Sequence, residues 1–223
     1  MNNVFMTGAN GDIGQAIKEK FVLKGYNVTA PTRQELNLEN IDAIAEYFKN
    51  NNKFDIIIHC AGYNNPKKIE EISYDDIAKT ANINYISFIE IIKSICPYMK
   101  QQQNGRILGI SSLYGTISCA ERLPYATSKH ALNGTVRTLA CEFGKYNILV
   151  NALSPGFVNT QMTRKNNSVE KIEQIASKIP LKRLANVEEI ANVAYFLSSN
   201  ENTYITGQNL IVDGGFMIEG VQN

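Results

Sequence analysis

Two groups of residues in this chain are of types and spacings that could do chemistry. The first is Ser112, followed by Tyr125-Ala126-Thr127-Ser128-Lys129. A tyrosine and a lysine four positions apart share one face of a helix, which brings the ammonium near the phenol. A nearby positive charge favours the phenolate, so proton exchange with a carbonyl or alcohol oxygen becomes feasible near neutral pH. Ser112 can hold that oxygen. The tyrosine–lysine spacing alone is common and usually carries no chemistry; its position beyond the strand-end pair Ser111-Ser112 is what gives it weight.

The second is Thr7-Gly8-Ala9-Asn10-Gly11-Asp12-Ile13-Gly14, set between the apolar run Asn3 to Thr7 and the helically spaced Ile13, Ile17 and Phe21. Glycines there let the backbone approach a pyrophosphate, and the helix N-terminus offers free N–H donors. A tight turn with no ligand is the alternative. After the second strand the chain reads Ala30-Pro31-Thr32-Arg33, with no acidic residue to accept bonds from a free ribose 2′-hydroxyl. Arg33 is expected to pair with a 2′-phosphate, against the alternative of a solvated surface arginine. The expected cofactor is therefore NADP(H), with NAD(H) as the other option.

The elements that must position these groups alternate along the chain. Strands are expected at Asn3–Thr7, Tyr26–Ala30, Phe54–Cys60, Arg106–Ser111, Ile148–Leu153 and Asn209–Val212. Helices are expected after the glycine turn, at Ile41–Asn50, and near Tyr74–Lys100, Tyr125–Phe143 and Val187–Leu197. This alternation predicts an α/β fold, a doubly wound parallel sheet with helices on both faces, in one domain over residues 1–223. The polar stretch from Asn159 to Val169 reads either as a mobile lid or as an ordinary surface loop.

Composition narrows the class. The 223 residues hold 22 Lys+Arg against 21 Asp+Glu, so no basic excess invites nucleic acid. With 44% apolar and 19% charged residues, the chain is a globular one. Cys60, Cys96, Cys119 and Cys141 form no CxxC pair and read as buried or free thiols; His59 and His130 lack zinc-ligand spacing, so no metal is expected. His59 ends an apolar strand and is either a satisfied core residue, the preferred reading, or a cofactor neighbour. No run approaches the ~18 apolar residues of a membrane span, and the opening MNNVFMTGAN lacks a basic n-region, so a cytoplasmic address is expected.

Taken together, these residues resemble the classical, one-domain branch of the short-chain dehydrogenase/reductase family over essentially the whole chain. The resemblance rests on the glycine turn, Cys60-Ala61-Gly62 in place of the usual Asn-Ala-Gly after the fourth strand, Asn84, Ser112, Tyr125, Lys129, Ser154-Pro155-Gly156 and Val212-Asp213-Gly214-Gly215. It implies a Rossmann-type fold and carbonyl–alcohol interconversion by hydride transfer. Tyr125 would be the general acid, Ser112 the group that polarises the carbonyl, Lys129 the residue that lowers the tyrosine pKa and bonds the nicotinamide ribose, and Asn84 a holder of the proton-supplying water chain. It also implies cofactor contacts from Gly8, Asn10, Asp12, Ile13, Gly14, Arg33, Asn37, Leu38, Cys60, Ala61, Gly62, Tyr125, Lys129, Pro155, Gly156, Val158 and Thr160, with Asn151 holding the site's architecture.

The chain departs from the family pattern at several further places. Asp12 replaces the second glycine of the turn, and an acidic side chain there weakens phosphate binding unless it points into solvent. Asn37 stands where an Asp commonly meets the adenine, and a helix of longer relatives is missing after Arg33, leaving a reduced third strand at best. Within the family, the C-terminal half is most similar to 3-oxoacyl-[acyl-carrier-protein] reductases, in Pro155 to Thr163, Pro180 to Leu184 and Tyr204 to Gln208. Gln103 and Tyr146 occupy positions often basic for an acyl carrier protein, with Lys100 and Lys145 close by, so the carrier is left open as a partner. Sugar or secondary-metabolite carbonyls are alternative substrates, and a non-catalytic nucleotide-binding regulatory or scaffold protein is the rival class. The resemblance also implies a homodimer or homotetramer through two long helices, one bearing Ile83, Ile86, Ile89, Ile92 and Ile95, the other Ala131, Val136, Leu139 and Phe143.

Overall fold

A computed structural model describes residues 3–218, without the side chains of Met162 and Asn166. Six strands, β1 (Asn3–Thr7), β2 (Asn27–Thr29), β3 (Ile56–His59), β4 (Gly105–Ile110), β5 (Ile148–Pro155) and β6 (Asn209–Val212), form one parallel sheet in the order β2-β1-β3-β4-β5-β6. Helices α1 (Asp12–Leu23), α2 (Ile41–Phe48), α3 (Tyr74–Ala81), α4 (Ser87–Gln102), α5 (Leu123–Phe143), α6 (Gln161–Asn166), α7 (Val169–Ser177) and α8 (Val187–Ser198) complete the chain. This is the Rossmann-type α/β fold expected from the pattern.

Strand alternation splits the core in two. Phe5 and Ile57 pack with Ile44 and Phe48 of α2, Phe88, Ile91 and Ile95 of α4, and Leu132 and Val136 of α5. Val4, Met6, Ile56 and Ile58 pack instead with Ile17 and Phe21 of α1 and with Ile190 and Ala194 of α8. Three consecutive isoleucines are buried because successive side chains meet opposite helical layers, each contributing roughly 2 kcal/mol of transfer free energy. That is what holds β3 at the centre of the sheet.

The chain leaves β1 for β2 on one side and returns to β3 on the other. A crevice therefore opens at the C-terminal ends of β1 and β3, the general ligand position of open α/β sheets. Gly8 follows β1 and Cys60-Ala61-Gly62 follows β3, so the crevice is lined by the two motifs that sequence alone had placed apart.

Three expectations change. Cys60-Ala61-Gly62 follows the third strand, not the fourth, because no strand forms between β2 and α2. Residues 30–40 turn back on themselves instead: Leu36 N–H donates to Thr32 O, and the Asn40 side chain accepts from Ala43 N to start α2. The helix expected over Tyr74–Lys100 is interrupted by a π-helical segment, Asn82–Ile86, between α3 and α4. Finally, the polar stretch after β5 is a capped helix, α6, with Thr160 Oγ1 accepting from Thr163 N.

Candidate active site and cofactor cleft

The crevice is a cleft of about 870 Å³ whose walls include every residue expected to contact a cofactor, together with Ser112. At its phosphate end, Gly8 has φ +72, and a Cβ on it would lie 2.4 Å from Ala61 N. A Cβ on Gly14 would lie 2.1 Å from Gly8 O. Neither position admits a side chain. The N-cap of α1 is Gly11, which supplies no side-chain hydrogen bond, leaving the first N–H groups of the helix free for an anion. A bare helix start over a glycine-walled cradle fits the pyrophosphate of a dinucleotide.

Asp12 does not point freely into solvent. Its Oδ2 accepts a hydrogen bond from Gln161 N, the first residue of α6. The carboxylate is thereby engaged with the segment after β5, and it joins the phosphate turn to the helix that carries Thr160 and Thr163. The Thr160 hydroxyl is bonded to the Thr163 hydroxyl at 2.9 Å. Met162, between them, has a side chain outside the described residues.

At the opposite end, Arg33 is 71% exposed along its side chain and paired with Glu39 at 2.5 Å. Glu39 also lies 3.6 Å from Lys79. The strand end itself carries no acidic residue; Glu39 arrives through the turn of residues 30–40. Asn37 and Leu38 line the same wall.

The π-helical segment explains how Asn84 reaches the site. One extra residue per turn rotates Asn84 inward, where it is fully buried; such segments are frequent at functional sites. Asn84 Oδ1 accepts from Tyr63 N at 2.7 Å, and its Nδ2 donates to Tyr63 O and to Ser128 Oγ. It thus pins the loop after Gly62 to α5. Asn84 stands behind the cleft wall rather than in it.

His59 secures the same segment from the other side. Its Nε2 is 3.0 Å from Ile83 O and its Nδ1 3.0 Å from Thr7 Oγ1, which itself accepts from Ala61 N. The ring stacks on Phe88. It is the satisfied core histidine, tying the start of the glycine turn to the π segment. Burial, with the Lys129 charge, pushes its pKa down to about 3. As pH falls from the ordinary histidine range, about 6.5, the unfolded chain takes up this proton first, so stability is lost down to about pH 3. Urea unfolding across that window is expected to show a pH slope in His59→Gln that is shallower by about 1.4 kcal/mol per pH unit. Equal slopes in the two proteins would contradict a buried neutral His59.

Ser112, Tyr125 and Lys129 converge at the ends of β4 and α5. Lys129 is buried, with Nζ donating to Ile110 O at 2.7 Å and lying 5.6 Å from the centre of the Tyr125 ring. Burial lowers its pKa to about 8. The Tyr125 phenol is moved in the direction opposite to expectation: burial raises it, and the Ser112 hydrogen bond and the Arg122 charge oppose that rise. Desolvation outweighs the nearby positive charge. Cys60, which also lines the cleft, is likewise raised by burial, to about 11. Asn151 lies deeper, bonding Ile205 O and Gln208 N, so it fastens β5 to the approach of β6, as its expected architectural role requires.

Sequence reading missed Glu39, Tyr63, Phe157 and Arg122. Tyr63, Glu39 and Phe157 line the cleft, and Arg122 acts on Tyr125 electrostatically. Only Arg122 had a legible signal, its place three residues before Tyr125.

Comparisons agree with this geometry. A family model described as enoyl-(acyl carrier protein) reductase matches residues 36–217. A 3-oxoacyl-[acyl-carrier-protein] reductase of Buchnera aphidicola is 34% identical over 95% of each chain, and one from Thermotoga maritima is 30% identical over 96% of each. Among solved structures, the ligand-free aldohexose dehydrogenase of Thermoplasma acidophilum superimposes with TM-score 0.91 at 28% identity, over 100% of this chain and 96% of that one. A 4-hydroxyisoleucine dehydrogenase complexed with NADH gives 0.89 at 27% identity, over 98% and 99%. Sheet order, glycine cradle and the Asn84, Ser112, Tyr125 and Lys129 set, seen beside these relatives, place the chain in the short-chain dehydrogenase/reductase family, as a nicotinamide-dependent oxidoreductase.

Proposed function

We propose that this protein interconverts a ketone and a secondary alcohol, with Tyr125 as the acid–base group. The observation that carries the reading is the convergence of Ser112 and Tyr125 at the end of the glycine-walled cleft. The nicotinamide supplies the hydride when bound. In reduction, the substrate carbonyl oxygen accepts from Ser112 and takes the Tyr125 proton while its carbon gains the hydride; oxidation runs the same transfers backwards. A phenol kept protonated by burial suits the acid role, and Ser112 polarises the carbonyl as charge develops on oxygen. Lys129 holds the ribose and sets a cation 5.6 Å from the centre of the Tyr125 ring. Asn84 fixes Tyr63 and α5 around the proton path. The chain works as a single unit, with the cofactor cleft and the acid–base pair on the same sheet.

NADP(H) is the proposed cofactor, through Arg33. Its pairing with Glu39 means that a 2′-phosphate must compete with a carboxylate. Glu39→Gln is expected to raise the ratio of kcat/KM for NADPH over NADH by about tenfold, since an exposed pair is weak and removing its anion also removes repulsion of the phosphate. An unchanged ratio would remove Arg33 from cofactor selection.

The relatives' names favour a 3-oxoacyl thioester as the first substrate to try. Loss of NADPH absorbance with such a thioester, against NADH as the second cofactor, tests the reading. No consumption with any ketone while cofactor still binds would favour a non-catalytic nucleotide-binding protein. A homodimer or homotetramer through α4 and α5 is proposed from the resemblance and from their half-buried Ile89, Ala131 and Leu139.

A further inference from the structure

The carboxylate of Glu39 lies between two cations. Its Oε1 meets Arg33 at 2.5 Å and is 3.6 Å from Lys79 Nζ, short of the ~2.8 Å of a charge-assisted hydrogen bond. Arg33 and Glu39 line the cleft; Lys79, on α3, does not. The backbone of Glu39 is fastened on both sides. Its N–H donates to Asn37 Oδ1 at 3.1 Å, and its carbonyl accepts at 3.2 Å from Asn82 Nδ2, at the start of the π segment. Only the side chain is left to move between the two cations.

Lys79 is held in place with capacity to spare. Its Nζ sits 4.8 Å from the centre of the Tyr63 ring, a cation–π contact that positions the ammonium without supplying a counter-charge. Among the described residues, Glu39 is the one carboxylate paired with it. Lys67, by contrast, has both oxygens of Asp76 within hydrogen-bond distance, at 2.9 and 2.7 Å. Lys79 can therefore draw Glu39 closer without giving up another partner.

A 2′-phosphate arriving at Arg33 competes for the guanidinium that Glu39 occupies. Once displaced, Glu39 would repel the phosphate unless a second cation took it. We propose that Lys79 takes the Glu39 carboxylate over, which frees Arg33 for the phosphate. Lys79 is thus a positioning residue for cofactor selection: it acts through Glu39 and does not touch the cofactor. This rests on the reading of Arg33 as the 2′-phosphate residue and adds the group that makes Arg33 available. With NADH bound there is no phosphate to displace Glu39, and Lys79 has no part to play.

The test is a double-mutant cycle read by cofactor binding, so it needs no substrate. Dissociation constants for NADPH and NADH are measured from the fluorescence of the reduced nicotinamide in the wild type, Lys79→Met, Glu39→Gln and the double variant. Lys79→Met is expected to weaken NADPH about fivefold, the upper range of an exposed ion pair, and to leave NADH within about twofold. In the Glu39→Gln background the same substitution should change NADPH by less than about twofold, because no carboxylate remains to be moved. Lys79→Arg keeps the charge and should keep the wild-type preference. NADH binding and a melting curve report whether each variant is folded.

Equal loss of NADPH affinity in both backgrounds overturns the proposal, because Lys79 then attracts the phosphate directly. NADPH affinity unchanged in Lys79→Met overturns it too, as does equal weakening of NADPH and NADH, which would mark a structural effect on the cleft. Arg33→Gln separates the proposal from the reading beneath it. If that variant binds NADPH as tightly as the wild type, the 2′-phosphate reading falls and the role of Lys79 falls with it. If NADPH weakens in Arg33→Gln and not in Lys79→Met, the role of Lys79 alone is lost.

Discussion

Tyr125→Phe is expected to lower kcat for carbonyl reduction by about a thousandfold, or about 4 kcal/mol, while the protein still binds cofactor. The phenol is hydrogen-bonded to Ser112, and phenylalanine keeps the ring while deleting the proton. Cys60 is too weak an acid to substitute, since burial takes its thiol to about 11. Lys129 has its Nζ on Ile110 O and sits 5.6 Å from the ring centre, out of line for direct transfer. Initial rates at 340 nm with saturating cofactor measure the effect, and fluorescence titration reports binding. Turnover within a few-fold of wild type would refute the acid–base assignment. The raised phenol also fixes the direction of the pH effect. Reduction needs the protonated form and persists through neutral pH; oxidation needs the phenolate and is expected to rise with pH above neutrality.

Gly14→Ala is expected to have the other large effect, this time on binding and stability together. The new methyl would sit 2.1 Å from Gly8 O and 2.8 Å from its carbonyl carbon, both backbone atoms. No rotamer relieves that contact, so α1 must shift away from the turn. Overpacking of this kind costs about 3 kcal/mol, which for a chain of this size lowers Tm by roughly 6–12 °C. Displacing α1 also moves the free N–H groups that would meet the pyrophosphate, so cofactor affinity should fall by at least a hundredfold. Differential scanning calorimetry and a cofactor titration check the two parts. Wild-type affinity in a folded Gly14→Ala protein would mean that the cofactor lies elsewhere.

The candidate site was legible in unequal parts. The glycine turn, the strand-end serines and the tyrosine–lysine pair are short-range patterns, readable because each depends on a helix or turn geometry that a few residues determine. Asn84 was named from resemblance, but the helix carrying it was expected to be regular. Its π segment is stabilised by contacts distant in sequence, Tyr63, Ser128 and His59, which no local pattern contains. Likewise Asp12 looked like a charge to be turned to solvent. Its partner, Gln161 N, lies 149 residues away and was not visible from the turn itself.

The sequence by itself determined the alternation of strands and helices, the doubly covered sheet, and the glycine turn and tyrosine–lysine pair of the cleft, because hydrophobic periodicity and short-range spacing act locally and sum along the chain. Only the tertiary structure decided the electrostatics. It set Glu39 against Arg33 and placed the Tyr125 phenol where desolvation outweighs nearby positive charge. Charges interact through space and through the solvent they exclude, and both are settled only when the chain has folded.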